Sequence, residues 1–105
     1  FITAVTPVNG MISLKNAARL ANVKSLEVAK PADATRITGY VIGGVSPFGQ
    51  KRQTKILLCQ SAMQFEEILV SGGRRGLSVG INPKDLVELT NATVGDFIDP
   101  STLNK

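Results

Sequence analysis

The sequence predicts an α+β domain in which short strands form a mixed, curled sheet beside three short helices. Segments rich in β-branched residues, such as 1–6 and 77–81, end at Gly, Pro or Asn and are typical of short strands. Three other segments combine helix-start residues with apolar residues at helical spacing. With 105 residues, of which 43% are hydrophobic and 19% charged, the chain is predicted to fold as one globular domain over residues 1–105.

The first part of the chain is predicted to run strand, helix, strand, helix. The strand over 1–6 ends at three turn-forming residues: Pro7, Asn9 and Gly10. Ser13 is a typical helix start, and four apolar residues after it recur on one helical face: Leu14, Ala17, Ala18 and Ala21. Residues 25–29 alternate and predict a short strand. Pro31 predicts a short helix that begins at Ala32.

The rest of the chain is predicted to contain five strands and one further helix. The strands are expected over 40–45, 55–59, 66–71, 77–81 and 94–98. A turn over 46–49 and a short helical turn or loop over 61–65 connect them. Asn82 as the cap, Pro83 as the first helical residue and Asp85 in the first turn predict the last helix. Its buried side is expected to consist of Leu86, Val87 and Leu89.

Basic residues concentrate in the middle of the chain, where the only acidic residues are Glu66 and Glu67. Six lie between positions 36 and 75: Arg36, Lys51, Arg52, Lys55, Arg74 and Arg75. The formal net charge is +4 and the pI is about 9.6. This asymmetry favours an anionic partner such as RNA, and a solvated basic surface is the alternative.

The single cysteine and the absence of a long apolar stretch indicate the cellular compartment in which the protein works. Cys59 allows no internal disulfide, which predicts a reducing cytoplasm. No stretch approaches the roughly 20 apolar residues of a membrane span. The chain opens on Phe1 with what is predicted to be a core strand. We therefore expect either that an N-terminal portion precedes this sequence or that the protein is processed.

Several kinds of chemistry are excluded by residue type. The sequence has no histidine, which removes Ser-His-Asp and Cys-His catalysis and histidine-based metal sites. Cys59 lies in an apolar strand and is interpreted as a packing residue. The loop after Gly44 lacks the lysine and hydroxyl spacing of a nucleotide-hydrolysing phosphate loop. Glu66 and Glu67 are adjacent, so in a strand they point to opposite faces and form no carboxylate pair.

Two glycine-rich segments carry the candidate site. One is TGYVIGGVSPFGQK at 38–51, and the other is VSGGRRGL at 70–77. Glycine lets a ligand approach the backbone closely, and each segment adds hydroxyls and basic side chains. Clustered amides and hydroxyls can bind a carbonyl oxygen or orient a water. The alternative for each glycine is a turn or a bulge.

These two segments, together with Val5-Thr6-Pro7, resemble the YbaK/EbsC group, the free-standing relatives of the editing domain of bacterial prolyl-tRNA synthetase. The resemblance runs from residue 1 to about 98. It implies a curled, mostly antiparallel, barrel-like sheet around a small pocket. It also implies trans-editing hydrolysis of mischarged aminoacyl-tRNA, chiefly Cys-tRNA(Pro), without a metal or another cofactor. In the members of the group that act on Cys-tRNA(Pro), the thiol of the substrate is expected to attack its own ester.

The resemblance also implies roles for individual residues. Gly43 and Ser71 would be the catalytic pair, with the Gly43 backbone near the aminoacyl carbonyl or the terminal ribose and Ser71 bonded to the aminoacyl end. Six further residues would contact the substrate: Thr38, Gly44, Ser46, Pro47, Gly72 and Ser78. From charge and position we expect four residues to bind phosphates of the acceptor end of tRNA(Pro): Lys51, Arg52, Arg74 and Arg75. Prolyl-tRNA synthetase is a further candidate partner.

This sequence departs from the group in two ways. The pocket lysine and a tyrosine of the group lie upstream of the Val5-Thr6-Pro7 strand. YbaK carries an aspartate after its Arg-Gly-Leu triplet, where this chain has Ser78. Three hypotheses therefore stay open: a deacylase of the Cys-tRNA(Pro) type, a non-catalytic module that binds tRNA or a synthetase, and a basic globular domain with glycine turns.

Overall fold

The computed structural model describes residues 1–7, 11–41 and 44–99 of the chain. The strands are β1 (Ile2–Val5), β2 (Lys55–Cys59), β3 (Ile68–Ser71), β4 (Ser78–Ile81) and β5 (Thr93–Gly95). The helices are α1 (Leu14–Ala21), α2 (Pro31–Thr38) and α3 (Pro83–Thr90), with a 3₁₀ helix over Gln60–Gln64. The predicted strand over 1–6 is therefore confirmed within one residue at each end, and of the two alternatives for 61–65 the structure has the helical turn.

Strand β2 is the centre of a three-stranded parallel sheet. It pairs with β1 on one side, where Ile2 lies opposite Lys55, and with β5 on the other, where Leu57 lies opposite Thr93. Its run of four buried apolar residues, 56–59, does not alternate with polar residues. Such a run is typical of a parallel strand that is covered on both faces.

Two hydrophobic clusters cover the two faces of β2. On one face, Leu57 and Cys59 pack with Ala17 and Ala21 of α1 and with Phe97. On the other face, Ile56 and Leu58 pack with two residues from β3 and α3: Val70 and Leu86. The sheet is thus a middle layer, with α1 on one side and the β3–β4 hairpin and α3 on the other.

Side-chain caps fix where two helices begin. The Ser13 hydroxyl accepts a hydrogen bond from the Asn16 backbone N–H at 3.2 Å. The side-chain amide oxygen of Asn82 accepts one from Lys84 N–H at 2.9 Å, and Pro83 occupies the first helical position. Each cap satisfies a backbone donor that has no partner inside its helix. Both predicted helix starts are confirmed.

The α+β class is confirmed, but the mostly antiparallel, barrel-like sheet is wrong. Among the described residues the strands form the parallel sheet β1–β2–β5 and a separate antiparallel hairpin, β3–β4, and neither closes on itself. The physical reason is the burial of β2 on both faces. A barrel strand faces a single core, whereas β2 supplies side chains to two.

Several predicted elements also differ from the structure. Residues 25–29 form no strand, and neither do 40, 41, 44 and 45 of the predicted strand 40–45; Ile42 and Gly43 lie outside the described residues, as do Asn9 and Gly10. Pro31 begins α2 one residue earlier than expected. Leu89 was expected to be buried but is 71% exposed, because α3 packs mainly through Leu86 and Pro83. No helix in the described ranges is long and apolar enough to cross a membrane.

Candidate functional site

The two glycine-rich segments meet backbone to backbone at Gly44. A Cβ atom added to Gly44 would lie 2.9 Å from the carbonyl carbon of Arg74, 3.0 Å from its Cα and 3.0 Å from the Arg75 nitrogen. These neighbours are main-chain atoms, so no side-chain rotation could make room. Only glycine permits this approach, and the structure thereby joins the loop after α2 to the turn of the β3–β4 hairpin.

Tyr40 fills the space beside this contact. Its ring lies against Gly73, where an added Cβ would come within 2.9 Å of the ring carbon Cε1. Its hydroxyl donates a hydrogen bond of 2.5 Å to the Phe48 carbonyl oxygen and lies 3.1 Å from the Cβ position of Gly49. Sequence analysis assigned Tyr40 to a strand and missed this role. The signal available was that the only tyrosine of the chain lies inside a glycine segment.

Two predicted substrate-binding hydroxyls, that of Thr38 at the end of α2 and that of Ser46 in the following loop, are bonded to nearby backbone groups. The buried Thr38 hydroxyl donates to the Ala34 carbonyl oxygen at 2.7 Å and accepts from Tyr40 N–H at 3.1 Å. The buried Ser46 hydroxyl accepts from Phe48 N–H at 3.2 Å. Pro47 is also buried. These residues shape the loop through its own backbone, and their side chains are not presented on its surface.

Ser71 and Ser78 form a facing pair on the hairpin. They are register partners in the antiparallel ladder of β3 and β4, so their side chains lie on the same face. The Ser71 hydroxyl is half-buried and accepts a hydrogen bond of 3.3 Å from Gly73 N–H, while Ser78 is exposed. Gly72 closes the hairpin by donating its N–H to the Leu77 carbonyl oxygen at 2.8 Å. Among the predicted substrate-binding side chains, Ser71 and Ser78 are therefore the two that are not buried.

Gln50 fixes the loop to the sheet through a closed ring of hydrogen bonds. Its amide nitrogen donates to the Thr3 hydroxyl at 3.1 Å and to the Ser46 carbonyl oxygen at 2.9 Å. Its amide oxygen accepts from the Thr54 N–H at 2.9 Å and from the Thr54 hydroxyl at 2.8 Å. The hydroxyls of Thr3 and Thr54 lie 2.5 Å apart and complete the ring. Sequence analysis missed Gln50, because its partners come from distant parts of the chain.

The four predicted phosphate-binding residues lie on both sides of the junction between loop and hairpin, and all four are exposed. Lys51 and Arg52 are held by backbone hydrogen bonds to the end of α2, at 2.7 Å to the Thr38 carbonyl oxygen and 2.8 Å to that of Ile37. Arg74 and Arg75 supply the backbone against which Gly44 packs. The basic side chains therefore border one junction in the folded chain.

Among the described residues, the cysteine is buried and no metal-binding cluster is found. Gly43, the other residue predicted to be catalytic, lies outside the described residues. Cys59 is 3% exposed and its sulfur lies 3.2 Å from the Ser61 hydroxyl, as expected for a packing residue. No group of three or more His, Cys, Asp or Glu in the described ranges could hold a metal ion.

Three cavities lie away from the junction. A cavity of about 120 Å³ is lined by residues at the end of β1 and around the 3₁₀ helix, including Thr6 and Phe65. Two larger ones, of about 430 and 470 Å³, adjoin α1. None of these three is lined by Gly44, Ser71 or Ser78.

Comparison with known proteins gives consistent matches. Residues 1–89 match the model of the aminoacyl-tRNA editing domain family. Over 101 residues, the chain is 36% identical to the Enterococcus faecalis protein named "Putative Cys-tRNA(Pro)/Cys-tRNA(Cys) deacylase EbsC", covering 96% of this chain and 60% of that protein. A solved structure described as a "putative trans-editing enzyme for prolyl tRNA synthetase" is 27% identical, with a TM-score of 0.83 over 91% of this chain and 60% of that one.

A second solved structure, that of the hypothetical protein APE2540, shares the fold. It is 23% identical and has a TM-score of 0.83 over 93% of this chain and 65% of that one. The chain spans less than two thirds of the length of each of these three relatives.

Proposed function

Because the chain belongs to the aminoacyl-tRNA editing domain family, we propose that it hydrolyses the ester bond of a mischarged aminoacyl-tRNA in trans. The proposed substrate is Cys-tRNA(Pro). This choice is supported by the identity with a protein whose name specifies that substrate together with Cys-tRNA(Cys), and by the likeness to a structure described as an editing enzyme for prolyl-tRNA synthetase.

The observation that carries this proposal is the backbone contact of Gly44 with Arg74 and Arg75. It joins the two glycine segments, and with them the hairpin that carries Ser71, Ser78, Arg74 and Arg75; Lys51 and Arg52 follow the first segment and bond to the end of α2. A polyanion with an aminoacyl ester at its end needs such a combination: cations for its phosphates and hydrogen-bond donors for its ester.

The proposed chemistry needs no nucleophile from this chain. The thiol sulfur of the bound cysteinyl group attacks its own ester carbonyl carbon and forms a carbon–sulfur bond. The bond from that carbon to the terminal ribose oxygen breaks, and the ribose oxygen takes the thiol proton. Water then opens the resulting thiolactone to free cysteine. A buried Cys59 and the absence of histidine agree with this route.

Two groups are proposed to assist that reaction. The Ser71 hydroxyl donates a hydrogen bond to the aminoacyl carbonyl oxygen and stabilises the negative charge that develops there. Gly43 keeps its proposed place beside the same carbonyl or the terminal ribose, as the resemblance implies. Ser78 offers a second hydroxyl on the same face, where YbaK carries an aspartate. A hydroxyl there supplies a hydrogen bond without a charge.

The proposed partner is the acceptor end of tRNA(Pro), bound through Lys51, Arg52, Arg74 and Arg75. In a plot of log affinity against log salt concentration, each phosphate contact that is lost should reduce the steepness of the slope by about 0.9 for a duplex. Replacing both Arg74 and Arg75 with Ala should therefore lower the salt dependence of tRNA binding. An unchanged slope would remove these arginines from the interface. Association with prolyl-tRNA synthetase in the cytoplasm is part of the same proposal.

The experiment that tests the function is release of amino acid from tRNA(Pro) charged with cysteine, alanine or serine. We expect cysteine to be released fastest, and Ser71→Ala to slow its release. Ser25→Ala, a change at an exposed serine away from the junction, is the matched control and should leave the rate unchanged. The same assay on the sequence extended upstream to its native start tests whether a preceding segment supplies essential groups.

A second candidate, a non-catalytic tRNA-binding module, is favoured by one observation. The hydroxyls of Thr38 and Ser46 are bonded to nearby backbone groups, which leaves few groups for chemistry. No release from any charged tRNA by either form of the chain, with tRNA binding retained, would support this module and exclude the deacylase.

A further inference from the structure

The hairpin face that carries Ser71 and Ser78 also carries a carboxylate. Leu69 is the register partner of Gly80, and this pair lies two positions along the ladder from the Ser71–Ser78 pair, so both pairs are on the same face. A Cβ atom added to Gly80 would lie 2.7 Å from Cδ of Glu67 and 3.3 Å from its Cγ. The Glu67 carboxylate therefore lies over the backbone of Gly80, on the serine-bearing face.

Gly80 makes the position of this carboxylate possible. Any side chain at residue 80 would occupy the space that the end of Glu67 fills. The Glu67 carboxylate forms no hydrogen bond or ion pair with any other described residue, and the residue is exposed. The carboxylate thus lies near the serine pair because it packs against the backbone of Gly80, and its oxygens are free to accept hydrogen bonds from a ligand.

The spacing between the carboxylate and the serines matches an α-amino ester. Residues 78 and 80 are two positions apart on β4, which corresponds to about 6.6 Å. In an α-amino ester the carbonyl oxygen and the ammonium nitrogen are three covalent bonds apart. Two hydrogen bonds of about 2.8 Å, one to the carbonyl oxygen and one from the ammonium nitrogen, add about 5.6 Å to the separation of these atoms. The group can therefore bridge the roughly 6.6 Å between residues 78 and 80. A carboxylate accepts hydrogen bonds from an ammonium group, and such charge-assisted bonds are the strong ones.

We propose that Glu67 binds the α-ammonium group of the aminoacyl ester whose carbonyl end lies at Ser71 and Ser78. The site then selects esters with a free α-amino group and rejects N-acylated ones, which have no ammonium to offer. This inference rests on the proposed deacylase function, and it names the substrate class that the site accepts. Glu67 is a specificity-determining residue in this scheme.

The test compares release of cysteine from Cys-tRNA(Pro) with release from its N-acetylated counterpart. We expect the protein to prefer the free amine by about tenfold, the value of one charge-assisted hydrogen bond. Glu67→Gln should abolish that preference by slowing only the free-amine substrate. Glu66→Gln, at the adjacent and exposed acid, is the matched control and should keep the preference.

Gly80→Ala supplies an independent variant that retains the acid. The added methyl group displaces the Glu67 carboxylate, so the preference should fall as it does in Glu67→Gln, and the double variant should show no further loss. Equal rates for both substrates in the unmodified protein, an unchanged preference in Glu67→Gln, or an equal loss in Glu66→Gln would each overturn the inference.

A binding measurement separates this inference from the proposed function. If the protein releases no amino acid, the deacylase proposal fails, and the role of Glu67 is judged with a non-hydrolysable ligand. Calorimetry with 3′-deoxy-3′-(alanylamino)adenosine and its N-acetyl form should give about tenfold tighter binding of the free amine, lost in Glu67→Gln. Equal affinity for the two ligands would refute the inference independently of catalysis.

Discussion

Replacing Gln50 with methionine should destabilise the whole domain, although Gln50 lies in a loop. Methionine keeps the length of the side chain but removes its amide. Four hydrogen bonds disappear, two of them to backbone groups that cannot reorient: the Thr54 N–H and the Ser46 carbonyl oxygen. The Thr3 and Thr54 hydroxyls still bond to each other. The loss therefore falls mainly on the two backbone groups.

The expected magnitude follows from those two groups. Leaving a buried donor or acceptor without a partner costs about 1–3 kcal/mol each, which gives about 3 kcal/mol for the pair. For a domain of about 100 residues, 1 kcal/mol corresponds to at least about 4 °C in Tm. The Gln50→Met variant should therefore melt at least about 10 °C below the unmodified protein.

Thermal unfolding followed by circular dichroism checks this value, with Gln53→Met as the control. Gln53 also donates hydrogen bonds to the loop, to the carbonyl oxygens of Pro47 and Thr54, but its side chain is exposed and water can replace it. We expect that control to change the free energy of unfolding by no more than about 0.5 kcal/mol. Melting temperatures for the two variants within 2–3 °C of each other, about the error of such a comparison, would refute the reasoning.

Further variants test other parts of the structure. Gly44→Ala forces the loop away from the backbone of Arg74, so it should cost about 1–2 kcal/mol in denaturant unfolding and slow amino-acid release; wild-type values for both would contradict the close contact. Tyr40→Phe keeps the ring but loses the hydrogen bond to Phe48, and a Tm lower by about 4 °C is expected, whereas no change would mean that the bond contributes nothing. Asn82→Ala removes the α3 cap, so stability should fall by about 1 kcal/mol while amino-acid release stays normal; a matching loss of activity would show that α3 influences the site.

Local signals in the sequence predicted the helices well. Ser13 and Asn82 act through partners two or three residues away, so the chemistry of each cap is contained within a short window. A stretch of sequence that short does not determine which side of a helix packs against the core. Leu89 has the spacing of a buried residue, yet it is exposed because the neighbouring elements cover only the Leu86 side of α3.

The sheet was harder to predict because its pairing joins distant segments. The run 56–59 is apolar without alternation, which fits a strand buried on both faces, but only the structure identifies β1 and β5 as its parallel neighbours. The two glycine segments were recognised as candidates from composition. Their contact, and the roles of Tyr40 and Gln50 in holding it, depend on tertiary packing that no local pattern encodes.

The position of Phe97 also has a consequence for synthesis on the ribosome. This side chain is fully buried in the cluster with Ala17 and Ala21, although it is made long after α1. The parallel partner β5 is likewise made late, so the pairings that complete the sheet are non-local and slow to form. A nascent chain must therefore carry α1 with the part of its apolar face that Phe97 covers still exposed until residues 93–98 have emerged. During that interval the chain is open to aggregation and to chaperones.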